Sequence, residues 1–137
     1  MKEIIYKFCH KTLTSELEEL GDDFKQEYED AQDVVPKGYF TIGDDCYSRN
    51  TESTFIVNIA DLIGTKYHPD KKRLNGCCGY SDSEGPNLIC QCGIELGSEM
   101  SDCWVPRMAY LSPKSTEVID VNKPEVSIPL RAPRSTP

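Results

Sequence analysis

The apolar positions in the first third of the chain change period once. Ile4, Tyr6 and Phe8 alternate with Ile5, Lys7 and Cys9, and a period of two predicts a strand with one strongly apolar face. From Leu13 onward the apolar positions Leu13, Leu17, Leu20, Phe24, Tyr28 and Ala31 recur three or four residues apart, which predicts an amphipathic helix over 13–33. Ser15 followed by Glu18 fits a capping box, or Thr12 caps a stripe that begins one turn earlier. Gly21 inside the stripe costs about 1 kcal/mol relative to alanine, and Pro36 with Gly38 ends the element. Gly38 to Gly43 and Thr54 to Ile59 are rich in aromatic and β-branched residues and read as an antiparallel strand pair around the polar stretch 44–53. Asp61 to Ile63 predicts one helical turn, Trp104 to Leu111 a strand-like apolar segment, and Glu117 to Val121 a last strand. The expected fold is α+β. A small antiparallel sheet carries one N-terminal amphipathic helix, in a single domain over 1–112 that includes a Gly-rich lobe at about 64–104. The Pro-rich stretch 113–137 is expected to be a partly disordered tail.

Charge sharpens this picture at one place. The chain has 137 residues and a formal net charge of −8, and the segment from Ser15 to Asp33 holds nine acids against the single base Lys25. The remaining residues are balanced, so one element carries the whole excess. Such a field opposes binding to nucleic-acid phosphates, and no nucleic-acid partner is expected. A negative helical face over 13–33 could dock a basic protein partner, as an immunity protein or antitoxin does. The bland reading is a solvated outer face. The first ten residues lack the pattern of a secretion signal and no stretch is apolar enough to span a membrane, which together place the protein in the cytoplasm.

A cytoplasmic setting decides how the seven cysteines are read, because thiols there stay free, catalytic or metal-bound. Cys77, Cys78, Cys90, Cys92 and Cys103 crowd into a stretch where 64–97 also holds six of the nine glycines. Such a loop-rich segment needs an external source of shape, and zinc bound by four thiolates would supply it. Cys90 and Cys92 leave the same face of an extended segment, and Gly93 lets the backbone turn its N–H groups toward sulfur. Adjacent cysteines point apart, so the expected ligands are Cys78, Cys90, Cys92 and Cys103, with Cys77 as the alternate to Cys78. The basic run Lys71, Lys72, Arg73, with Arg107, could offset the charge of such a site. Cys9 and Cys46 stand alone and are expected in the core, while His10 and His68 could substitute for a missing ligand, although a lone histidine is more often structural or solvated.

The dozen or so residues between the cysteine groups resemble the layout of a zinc ribbon, although ribbons carry Cys-x-x-Cys twice and this chain has Cys-Cys, Cys-x-Cys and Cys103. Asn75 to Gly79, Gly85 to Gly93 and Ser101 to Trp104 together resemble a small bacterial protein family without known function, which implies no activity. His68-Pro69-Asp70 looks like the tripeptide of J-domain co-chaperones, but the two long helices of that family have no counterpart here. Phosphate-binding loops, nucleophile elbows and paired-histidine zinc motifs are missing from the sequence. The leading expectation is a non-enzymatic, zinc-stabilised, protein-binding module. Its enzymatic rival is thiol redox or metal-dependent chemistry at the same cysteines.

Overall fold

The computed structural model describes residues 1–21, 23–44, 51–74, 76 and 79–121. Their strands are β1 (Lys2–Tyr6), β2 (Glu18–Glu19), β3 (Tyr39–Ile42), β4 (Phe55–Val57), β5 (Lys66–Tyr67), β6 (Leu88–Ile89), β7 (Glu95–Met100), β8 (Met108–Leu111) and β9 (Thr116–Asp120), joined by 3₁₀ turns at Ile59–Asp61 and Lys71–Arg73. Seven strands form one sheet in the order β2-β3-β4-β8-β7-β6-β5, and β1 pairs with β9 in a separate antiparallel ribbon. Within the large sheet only β2 and β3 run parallel. Strand β9 lies in the stretch read as tail, and its pairing from Lys2↔Asp120 to Tyr6↔Thr116 ties that stretch to the body.

The centre of the sheet is buried on both faces, which is why β8 is an unbroken apolar run. Ala109 and Leu111 join Ile4, Leu13, Leu17, Phe40 and Val57 in one cluster. Met108 and Tyr110 join Val34, Val35, Ile56 and Met100 in another. The antiparallel pairing of β3 with β4 matches the sequence reading, with Thr41 opposite Ile56.

The N-terminal helix does not form. No α-helix occurs among the described residues, so the fold is mainly β, not α+β. Residues of the 13–33 stripe are instead taken up by strand edges: Leu17 exchanges backbone hydrogen bonds of 2.6 and 2.7 Å with Lys2, and β2 lies beside β3. Farther on, the Ala31 N–H donates to the Val105 carbonyl and the Val34 N–H to the Arg107 carbonyl. The expected cap is also used otherwise, since the Ser15 hydroxyl donates to Asp61 at 2.8 Å. Like charge explains the outcome. A helix here would stack Glu16 on Glu19, Glu19 on Asp23 and Glu29 on Asp33 at spacings where equal charges repel, with Gly21 between them. The apolar positions split accordingly: Leu13 and Leu17 go to the first cluster, and Leu20, Phe24 and Tyr28 pack on the second. The negative helical face expected for a basic partner is therefore not present.

The Gly-rich stretch is shaped by hydrogen bonds. Asn87 is fully buried, and its side-chain amide donates to the Glu99 carbonyl at 2.9 Å and the Ser81 carbonyl at 3.1 Å while accepting from the Glu99 N–H at 2.7 Å. The Tyr80 carbonyl accepts from the N–H groups of Ser101 and Asp102, and the Arg73 guanidinium donates to the Pro86 carbonyl. Asp82 accepts from the Tyr110 hydroxyl, so the loop is fastened over the sheet at several points. Leaving buried polar groups unpaired costs about 1–3 kcal/mol each, so Asn87→Ala should lower the unfolding free energy by about 2–4 kcal/mol. Urea denaturation measures this, and the proteolytic susceptibility of the Ser81–Pro86 loop should rise in parallel.

Candidate thiol site

Two tight turns bring three cysteines together. After β1 the chain doubles back, with the His10 N–H donating to the Tyr6 carbonyl at 2.9 Å and His10 itself at φ 60°. Between β6 and β7 the Cys90 N–H donates to the Ile94 carbonyl at 2.9 Å and the Gly93 N–H to the Cys90 carbonyl at 2.8 Å. Gly93 sits at φ 94°, a backbone conformation that favours glycine. The turns meet because the Lys7 N–H donates to the Ser115 carbonyl, whose residue in turn donates its hydroxyl to the Glu95 carbonyl at the start of β7. As a result Cys9 Sγ lies 3.9 Å from Cys90 Sγ, the reach of a weak S–H···S hydrogen bond.

The three sulfurs differ in setting. Cys90 is fully buried, and burial pushes its thiol up from the ordinary value. Cys92 is exposed, and its thiol is held below the ordinary value, first by the Ile94 backbone N–H and then by donors that include Cys90 and the Tyr6 hydroxyl. Tyr6 is displaced the opposite way: burial raises its phenol, and the neighbouring Cys92, Cys90 and Cys9 add to that. Cys9 is exposed rather than part of the core, as its isolation in the sequence had suggested.

The expected zinc ligands divide. Cys90 and Cys92 share one turn, one buried and the other exposed, rather than leaving the same face of an extended segment, and Cys103 lies beyond the opposite end of β7, a strand of six residues that spans about 20 Å. Its N–H donates to the Asp102 carboxylate at 2.7 Å. Cys78, its alternate Cys77, and Cys46 lie outside the described residues. Among the described residues no group of three or more histidine, cysteine, aspartate and glutamate side chains is placed to hold a metal ion. His68 is committed elsewhere. Its Nδ1 accepts from the Asp70 N–H at 3.0 Å and its Nε2 faces Glu95 at 3.3 Å, beside the Arg73–Glu95 ion pair at 2.8 Å. His10 is exposed at its turn.

A second polar group sits on the sheet. Glu99 is buried and accepts from the Tyr67 hydroxyl at 2.9 Å and the Ser101 hydroxyl at 2.8 Å. Burial, followed by the hydrogen bond and charge of Glu99, pushes the Tyr67 phenol up to about 12.

No helix among the described residues is long and apolar enough to cross a membrane. Comparison with family models, curated proteins and solved structures finds no match for this chain.

The Tyr67 phenol gives a pH test. A folded value of about 12 against the ordinary tyrosine value of 10.0 means that between those values the native state keeps its proton while the unfolded chain loses it. The stability contributed by this group is therefore complete below pH 10, and falls as pH rises toward about 12. Ultraviolet titration should show late phenols from Tyr67 and Tyr6 in the wild type, and Glu99→Gln should move only the Tyr67 phenol back toward the ordinary tyrosine range.

Proposed function

We propose that the protein is a cytoplasmic thiol–disulfide exchange module in which Cys92 attacks, Cys90 resolves and Cys9 receives the disulfide. The observation that carries this reading is the convergence of three sulfurs from two turns, with an exposed low-pKa thiol beside a buried one. Thiolate, not thiol, is the attacking form, and stabilisation of the Cys92 anion by the Ile94 N–H enriches it at neutral pH.

The chemistry balances as follows. The Cys92 thiolate attacks one sulfur of a substrate disulfide; that S–S bond breaks, and the departing thiolate takes a proton from water. Cys90 then loses its proton and attacks the Cys92 sulfur, which expels the second substrate thiol and leaves a Cys90–Cys92 disulfide. Attack by Cys9 on Cys90 passes the bond on as Cys9–Cys90 and regenerates the Cys92 thiol. Two protein thiols have given up two electrons and two protons, and the substrate disulfide has become two thiols. The 3.9 Å separation of Cys9 from Cys90 suits this last transfer, which needs only a small approach of the two turns.

Alkylation rates measured against pH, with peptide mapping after exposure to a small disulfide, test the proposal. Cys92 should react first, with an apparent pKa below that of a free thiol. Mapping should recover a Cys9–Cys90 linkage in the wild type and a trapped mixed disulfide on Cys92 in Cys90→Ser. Retention of about one zinc per chain by the wild type and its loss in Cys90→Ser, with all three thiols protected, would overturn exchange in favour of ligation.

A further inference from the structure

A cavity of about 680 Å³ opens beside the thiol turns, and the reading of those thiols as an exchange site leaves it without a role. Its wall includes Phe8, the chain neighbour of Cys9, and Ile94, whose carbonyl closes the Cys90 turn. Leu96, Pro86 and Tyr110 supply the rest of an apolar floor. Phe8 is 74% exposed and Ile94 46% exposed, so two large apolar side chains stand at the rim in water. Their cost in solvent is removed when an apolar body covers them. Phe8 also packs edge-on against Tyr6, the phenol that faces Cys92, at 5.5 Å between ring centres, which connects the cavity wall to the attacking sulfur.

The charges on the wall say what else the occupant carries. Both acids are already engaged, Asp82 by the Tyr110 hydroxyl and Glu95 by Arg73 and His68. Lys114 is exposed at the wall, and its ammonium has no ion-pair partner among the described residues. The Ser112–Ser115 turn holds the Lys114 backbone, where the Lys114 N–H donates to the Ser112 hydroxyl at 3.2 Å and the Ser115 N–H to the Ser112 carbonyl at 3.2 Å. A cation above an apolar floor, in a protein of net charge −8, selects an anionic group locally against the overall field.

We infer that this cavity is the substrate cleft of the thiol site and takes a small disulfide with an apolar, preferably aromatic, body and a carboxylate that pairs with Lys114. The inference rests on the exchange reading for its chemistry, but binding in the cleft can be measured without any sulfur. Titration calorimetry of the full reduced chain with naphthalene-2-carboxylate and naphthalene-2-carboxamide separates charge from shape. The carboxylate should bind about fivefold tighter, the worth of a partly exposed ion pair. Lys114→Gln should erase that preference, and Ile94→Ser, at a half-exposed position that does not threaten folding, should weaken both probes. Equal affinity for the two probes, no binding of either, or a preference that survives Lys114→Gln overturns the inference. Neither probe contains sulfur, so such a failure leaves the reactivity of Cys92 untouched, just as an unreactive Cys92 would leave probe binding intact. The link between cleft and thiol has its own measurement. An aromatic disulfide bearing carboxylates should react with Cys92 at a saturating rate that naphthalene-2-carboxylate suppresses, and a rate indifferent to that competitor detaches the cleft from the thiols.

Discussion

The architecture depends on one buried amide. Asn87 offers two donors and one acceptor to the backbone of Glu99 and Ser81, so its side chain does for β7 and the neighbouring loop what a further stretch of strand would do. The two bonds to Glu99 lie out of water, where each is worth more than on the surface and where its loss strands a carbonyl or an N–H. Because Asn87 immediately precedes β6, fastening it also holds the hairpin whose tip bears Cys90 and Cys92. The loop that crosses to Tyr110 through Asp82 forms part of the cavity wall for the same reason. Site and scaffold thus share a single polar anchor.

At the thiols two opposing terms act on neighbouring sulfurs. Removal from water favours the neutral form of Cys90, whereas directed N–H and O–H donors favour the anion of Cys92. The two residues are separated by only one position, yet the turn closed by Gly93 puts one sulfur inside and the other outside. Chemical asymmetry between otherwise identical groups therefore comes from backbone geometry, with the Tyr6 hydroxyl and Cys90 adding to it.

Much of the sheet could be read from composition and alternation, and what could not had physical causes. The β3 and β4 pair, β8 and β9 follow apolar or β-branched runs, because a strand buried on one or both faces needs such residues whatever its partner. The 13–33 stripe misled because period alone ignores repulsion, and the acids three and four residues apart already spoke against a helix. Cys90 and Cys92 share the β6–β7 turn. Cys103 was grouped with them by nearness in sequence, although Ile94, Leu96, Ser98 and Met100 alternate between them as a strand does and a strand carries its two ends apart. Cys9 had no local signal at all, since its approach to Cys90 depends on the β1–β9 ribbon and on the Ser115 to Glu95 bond.

That ribbon has a consequence for how the molecule is made. Strand β1 precedes every other described strand in the chain, and its partner β9 follows them all. Until they pair the edge of β1 is covered only on the side of Leu17, and Ile4 and Ile5 must wait for Val118 and Glu117 opposite them. Pairings that close so large a loop are slow to form, so the β1–β9 ribbon closes late in folding. During that interval a chaperone that shields short apolar strands would have its longest access to this chain.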